Sequence, residues 1–252
     1  MLRIGSMLSI QQCGLGCMAL VQLVRAEVTP VGSNNWSHCS SGWKNVSLVT
    51  ARSAYRSSFV RRIQNVVNTS GLCGMENVTR FLDHILPPEG FRCGVAIQGK
   101  EKRIQRLFSD NSQLATFLDI WDRRGYDCYH ACAVFRTDAN RTTRNALGAR
   151  SFWLDLDVGN DPKKYPTDIA AIEAIGIFCK SFIQPTAVVH SGGGVHIYWS
   201  LEDMLDPETW RAQATIFKGL CIECGLKADH VRTADISSIL RTPGTHNYKY
   251  AS

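Results

Sequence analysis

Apolar positions recur along the chain with two periods, and the switches between them mark out its elements. Tyr55, Phe59, Ile63 and Val66 fall at helical spacing, with Arg56, Arg61 and Arg62 elsewhere on the wheel, which predicts an amphipathic helix with a basic face. A second helical stripe, Val78, Phe81, Leu82 and Ile85, is stopped by Pro87-Pro88. Residues 91–98 then read as a strand ending in the basic turn 99–103. Ser112 is placed to cap a helix buried through Leu114, Phe117, Leu118 and Trp121, and Gly125 to end it. A strand over 129–135 follows, and then a polar, basic loop over 136–150 that carries Arg136, Arg141, Arg144 and Arg150.

The second half repeats the alternation. Residues 152–158 form an apolar run that reads as a central strand, and after a turn Ile169, Ile172, Ile175, Cys179 and Phe182 mark a helix closed by Pro185. Strands over 186–190 and 195–199 flank the loop Ser191-Gly192-Gly193-Gly194. Asp206-Pro207 is a helix start, and Trp210, Ala214, Phe217, Cys221 and Cys224 form its apolar face up to Gly225. A short strand over 226–228 is expected to end at Asp229, and the chain closes on an apolar strand running into polar and cationic residues over 239–249. Strands and helices alternating in this way predict an α+β (α/β) fold.

Composition narrows the picture modestly. A chain of 252 residues builds a substantial core, and its net charge of +6 favours a polyanionic partner without identifying one. The ten cysteines are scattered, and a chain of this size needs no staples, so they read as reduced thiols. Cys221 and Cys224 continue an apolar stripe and are expected in the core rather than on zinc, as are the weaker pairs Cys13/Cys17 and Cys128/Cys132. The N-terminal apolar stretch is broken by Gln11, Gln12 and glycines, which argues against a membrane span and against export. A cytoplasmic protein of a bacterial or phage-infected cell is the expectation. Residues 1–70 read as an N-terminal extension with a basic helix and 71–252 as the working domain, in what is expected to be a piece of a longer protein.

The chemistry centres on the strand Phe152-Trp153-Leu154-Asp155-Leu156-Asp157-Val158-Gly159. Side chains two apart on a strand share a face, so Asp155 and Asp157 present two carboxylates together, and like charges so placed call for cations. Asp-x-Asp alone also suits a calcium loop or a structural turn. Following it, however, are Ser191, Gly192, Gly193 and Gly194, whose backbone admits a close ligand, and His196, which shares a strand face with Tyr198. Arg241, Asn247 and Lys249 bring further polar and cationic groups suited to a triphosphate. Together these parts suit phosphoryl or nucleotidyl transfer on divalent metals, with a third carboxylate drawn from Asp229 or Asp235.

In order, the stretches FWLDLDVG, HSGGGVHIYW and ADISSILRTPGTHNYK resemble the three catalytic motifs of the archaeo-eukaryotic primase superfamily, especially the primase-polymerases of phages, plasmids and other mobile elements. The resemblance covers roughly residues 75–250. It implies a two-lobed fold, with an N-terminal α/β lobe and a C-terminal RNA-recognition-like sheet lobe around the active site. It implies metal roles for Asp155, Asp157 and one later acid, with Asp229 favoured over Asp235 because it ends an expected strand. Nucleotide-binding roles fall on Ser191, the glycine loop, His196 and Arg241. The implied activity is a DNA primase or primase-polymerase using two Mg²⁺ or Mn²⁺ ions, nucleoside triphosphates and a single-stranded DNA template, with a helicase as a common neighbour. Two rivals use the same residues: a replication-initiation module that binds DNA without synthesis, and a metal-dependent nuclease.

Overall fold

The computed structural model describes residues 75–180 and 183–249, so the basic helix expected over 55–66 lies outside the described residues, as do Cys13 and Cys17. Helix α1 (Met75–Ile85) buries Leu82 and Ile85 and ends ahead of the two prolines. Strands β1 (Arg92–Gln98) and β2 (Lys102–Phe108) form a hairpin across Gly99, whose φ of 62° is one that side chains resist. Where a basic turn was expected there is thus the start of a whole strand. Lys102, Arg103, Gln105 and Arg106 are exposed on it, so it has no apolar alternation to betray it, and charge on an edge strand discourages pairing with other chains.

Helix α2 (Asn111–Asp122) is capped by Asp110, not Ser112: the Asp110 carboxylate accepts from the Gln113 N–H at 2.8 Å. The strand expected over 129–135 is two strands, β3 (Asp127–Ala131) and β4 (Val134–Phe135), that serve different sheets. After a 3₁₀ turn (Thr143–Asn145) comes β5 (Ala146–Asp157), so the last residues of the expected basic loop are strand. Helix α3 (Asp168–Phe178) stops before Phe182, which lies outside the described residues. Strands β6 (Ala187–His190) and β7 (Gly194–Leu205), helix α4 (Pro207–Glu223), helix α5 (His230–Thr233) and strand β8 (Ile239–Arg241) complete the chain.

The fold is mixed α/β with two antiparallel sheets, ordered β2-β1-β3-β8 and β4-β5-β7-β6, and five α-helices among the described residues. Phe91 and Phe135 exchange both backbone hydrogen bonds at 2.8 Å and tie one sheet to the other. The sheets do not divide the chain into halves, because β8 returns to pair with β3. The larger of two apolar clusters runs beneath both, from Ala96, Leu114 and Cys128 to Trp153, Ile197 and Phe217, and the smaller gathers Cys93, Val95, Ala131 and Phe135. Under α4, Trp210 stacks on Trp153 with ring centroids 4.7 Å apart and donates its indole N–H to the Ser151 carbonyl at 2.9 Å.

Cys221 is buried on α4 as expected, but Cys224 is exposed: it caps the helix instead of continuing the stripe. Cys93, Cys128, Cys132 and Cys179 are buried free thiols, and burial pushes those of Cys93, Cys128 and Cys179 up to about 12. Among the described residues no helix is long and apolar enough to cross a membrane.

Two glycines let β5 and β7 approach closely, Gly148 against the Leu205 carbonyl and Gly194 at the other end of the pair. A Cβ on Gly194 would lie 2.2 Å from the Leu156 carbonyl oxygen and 3.0 Å from the Asp157 Cα, both backbone atoms that cannot rotate away. Gly194→Ala is expected to lower stability by about 1–3 kcal/mol in urea unfolding, since the strands must separate to admit the methyl. Unchanged stability would mean that the hairpin pairs less tightly than this.

Candidate active site

The register of two strands assembles the site. Asp155 on β5 lies opposite His196 on β7, Asp157 lies opposite Gly194, and Trp153 opposite Tyr198. Both carboxylates and the imidazole therefore share one face at the open end of the hairpin, while Val195, Ile197 and Trp199 point the other way. The loop Ser191–Gly193 closes that end. Ser191 Oγ and N–H both donate to the Gly194 carbonyl, at 3.1 and 2.9 Å, whereas the Gly192 and Gly193 amides make no hydrogen bond within the described chain. The first sheet supplies the opposite wall: Ile97, Tyr129, Ile239 and Arg241 line the same cleft as Asp155, Asp157, Ser191, Gly193 and His196.

Charge in the cleft is incompletely balanced. Burial, and then the neighbouring Asp157 carboxylate, raises Asp155 to about 6. Its oxygens stand 3.5 Å from His196 Nε2 and 3.6 Å from Arg232 Nε, long contacts that leave the carboxylate short of partners. Asp157 is exposed and lies 3.4 Å from Lys164 Nζ. Burial holds His196 down to about 3, so the imidazole is neutral near pH 7 and offers one N–H and one lone pair. Its Nδ1 is buried with no hydrogen-bond partner, although the Arg241 carbonyl is close by. Behind it His130, neutral for the same reason, meets Thr242 Oγ1 at 3.2 Å and the Tyr198 hydroxyl at 3.4 Å.

The two candidate third carboxylates separate in space. The Asp229 N–H donates to the Asp155 carbonyl at 2.8 Å, which seats the residue beside the acidic strand. Asp229 ends no strand: its Oδ1 caps α5 by accepting from the Val231 and Arg232 N–H groups, and its Oδ2 accepts from Arg232 Nε at 2.9 Å. Neither acid is among the residues that line the cleft, but Asp235 has no such bond to the acidic strand: its Oδ1 accepts from the Ser237 N–H at 2.9 Å and the Ser237 hydroxyl at 2.7 Å. Among the described residues no three of His, Cys, Asp and Glu stand together as a ready cation cage. Two oxygen donors on one face, in an open cleft, instead fit a hard divalent ion that keeps part of its coordination for water or substrate phosphate.

Arg241, Asn247 and Lys249 also line the cleft, but the first two are spent on scaffolding. Arg241 is buried and donates to Asp127 Oδ1 at 2.8 Å, the His246 carbonyl at 2.8 Å, the Tyr129 hydroxyl at 3.1 Å and Asn247 Oδ1 at 3.0 Å. Asn247 Nδ2 in turn donates to the Ser191 carbonyl at 2.8 Å. A relay from Asp127 through Arg241 and Asn247 thus fixes the glycine loop. His246 turns to Asp122, 2.8 Å from its Oδ2.

In the basic loop, Arg150 is tied to the Asp83 and His84 carbonyls at the end of α1, Arg141 is half-buried, and Arg136 and Arg144 remain exposed. Sequence reasoning missed Lys164, Tyr129 and Arg232. Only Arg232 left a trace, as the cation three residues beyond Asp229 on a helical turn.

No family profile matches the chain, and no curated protein sequence does. Among solved structures, the archaeo-eukaryotic primase (AEP) domain of the cyanophage S-2L primase-polymerase is similar with a TM-score of 0.47 at 14% identity, over 65% of this chain and 78% of that one.

Proposed function

We propose that the chain is a template-directed nucleotidyltransferase that joins nucleotides on single-stranded DNA, a DNA primase or primase-polymerase. The observation that carries this reading is the direct registry of the acidic pair with the histidine and glycine loop: Asp155 faces His196 and Asp157 faces Gly194. A carboxylate pair alone serves hydrolysis as well. Set against a loop of unpartnered amides and a neutral imidazole, it suits a substrate that brings both a triphosphate and its own metal-binding oxygens. Two Mg²⁺ or Mn²⁺ ions, when bound, would lower the pKa of the attacking hydroxyl and steady the leaving oxygen.

The residues have separable tasks. Asp155 and Asp157 hold cations on one strand face, with Asp229 a further carboxylate tied to the same strand. The Gly192 and Gly193 amides and the His196 N–H donate to phosphate oxygens, and Lys249 adds positive charge at the cleft margin. Arg241 and Asn247 orient the loop and contact no substrate. Arg136, Arg141 and Arg144 lie on the segment leading into β5, where a template backbone would add salt-dependent affinity. The two-lobed organisation implied by the resemblance belongs to the same reading, with the cleft between the sheets as the active site.

Incorporation of labelled nucleotides on single-stranded DNA with Mg²⁺ or Mn²⁺ tests it, with ribonucleotides and deoxynucleotides compared and strand cleavage scored in parallel. Cleavage without incorporation would establish the nuclease. Salt-dependent DNA binding with neither activity, unaffected by loss of Asp155 and Asp157, would establish the initiation module. His196→Ala is expected to reduce incorporation about a hundredfold, largely through nucleotide KM, because it removes a pre-positioned donor to the triphosphate. A fall in kcat with KM unchanged would place His196 at the reacting centre instead.

A further inference from the structure

Arg232 is a cleft residue that belongs to none of the three motif stretches. Its guanidinium Nε lies 2.9 Å from Asp229 Oδ2 and 3.6 Å from Asp155 Oδ2. Its carbonyl is clamped by the Trp153 indole N–H at 2.8 Å and the Ser238 hydroxyl at 3.1 Å, so the backbone is anchored to β5. The side chain is 43% exposed, and beyond the two carboxylates its guanidinium makes one long contact, to the Ile239 carbonyl at 3.4 Å. Asp155 and Asp229, already joined through their backbones, thus share one cation. A carboxylate oxygen that accepts from a guanidinium has that lone pair occupied, and the positive charge repels an arriving metal ion.

We propose that Arg232 is a stand-in cation: it occupies the space between Asp155 and Asp229 in the metal-free protein and must leave for Asp229 to join Asp155 and Asp157 around a divalent ion. The inference rests on the two-metal reading above. A triphosphate in the same cleft offers anionic oxygens to the displaced guanidinium, while an ion arriving alone offers it nothing. Ion and nucleotide therefore strengthen each other's binding, by the same factor in both directions. Arg232 acts here as a positioning residue that makes metal loading depend on substrate.

The test is a Mn²⁺ titration of the full 252-residue chain, followed by the paramagnetic resonance signal of free Mn²⁺, with and without a non-hydrolysable nucleoside triphosphate analogue. Arg232→Gln is expected to bind Mn²⁺ about tenfold more tightly than the wild type without nucleotide, and to gain less affinity when nucleotide is added. Arg232→Lys, which keeps the charge, should stay close to the wild type. Unchanged or weaker Mn²⁺ binding by Arg232→Gln, in a protein whose wild type binds Mn²⁺ with nucleotide, overturns the stand-in role and leaves the two-metal reading intact. Tighter binding by Arg232→Lys as well overturns it too, because charge would then not be the cause. Failure of the wild type to bind Mn²⁺ even with nucleotide overturns both.

Discussion

Asp155→Asn is expected to cut nucleotide incorporation about a thousandfold or more while making the metal-free protein more stable at neutral pH. The two effects have one origin. Folding places Asp155 beside Asp157 in a largely buried position, which lifts its carboxyl from 3.8 to about 6. The unfolded chain then loses this proton near pH 4 and the folded chain only near pH 6. Between those values the folded state binds more protons, so this group lowers stability as pH rises, and above pH 6 the full penalty persists. An asparagine carries no charge to bury. In EDTA, unfolding free energies from urea titrations of the variant and the wild type should coincide near pH 4 and diverge by roughly 1–3 kcal/mol in favour of the variant at pH 7.5. Asp235→Asn, outside the cleft and hydrogen-bonded to Ser237, is the matched control and should alter neither activity nor this profile. Incorporation above a hundredth of the wild-type rate in Asp155→Asn would remove that residue from the chemistry.

That a site can be destabilising explains why part of it was legible before any coordinates. Two acids inside an apolar strand violate the pattern around them, and departures from a local rule mark function more often than conformity does. Asp155, Asp157 and His196 were readable because strand parity alone puts them on a face. The register that brings β7 against β5 was readable only as a hairpin with a glycine turn. What failed to show was anything set by distant partners. Strand β2 carries Lys102, Arg103, Gln105 and Arg106 among its seven residues and exists because β1 pairs with it, so no clean apolar alternation announces it. The expected strand before Asp229 is absent because the backbone there is fixed by the bond to Asp155 and by the cap of α5. Arg241 lines the cleft, where its charge and its position beside a polar loop put it, but its scaffold contacts did not show. Its partners, Asp127 and Tyr129, lie more than a hundred residues earlier in the chain, a separation that spacing arguments do not bridge.

Arg241→Met is expected to cost about 3–5 kcal/mol in urea unfolding, the largest stability loss of any single change at the cleft. The Arg241 and Asp127 side chains are only 6% and 16% exposed and meet at 2.8 Å, so removing the guanidinium strands a carboxylate away from water. The Tyr248 N–H, which donates to the same Asp127 oxygen at 2.9 Å, compensates only in part. Arg241 also lies 4.9 Å from the Tyr129 ring centroid and donates in four directions at once, a geometry that the three donors of an ammonium cannot reproduce. Arg241→Lys should therefore recover less than half of the lost stability. Because the relay continues through Asn247 to the Ser191 carbonyl, both variants should also raise nucleotide KM, through a loop no longer held in place. Asn247→Ala cuts the relay without stranding the buried charge, and so isolates that second effect. It should raise KM several-fold at a stability cost of about 1 kcal/mol. A variant at Arg241 that lost nucleotide affinity with stability intact would show that the guanidinium reaches the substrate after all, and the scaffold role would then fall to Asn247 alone.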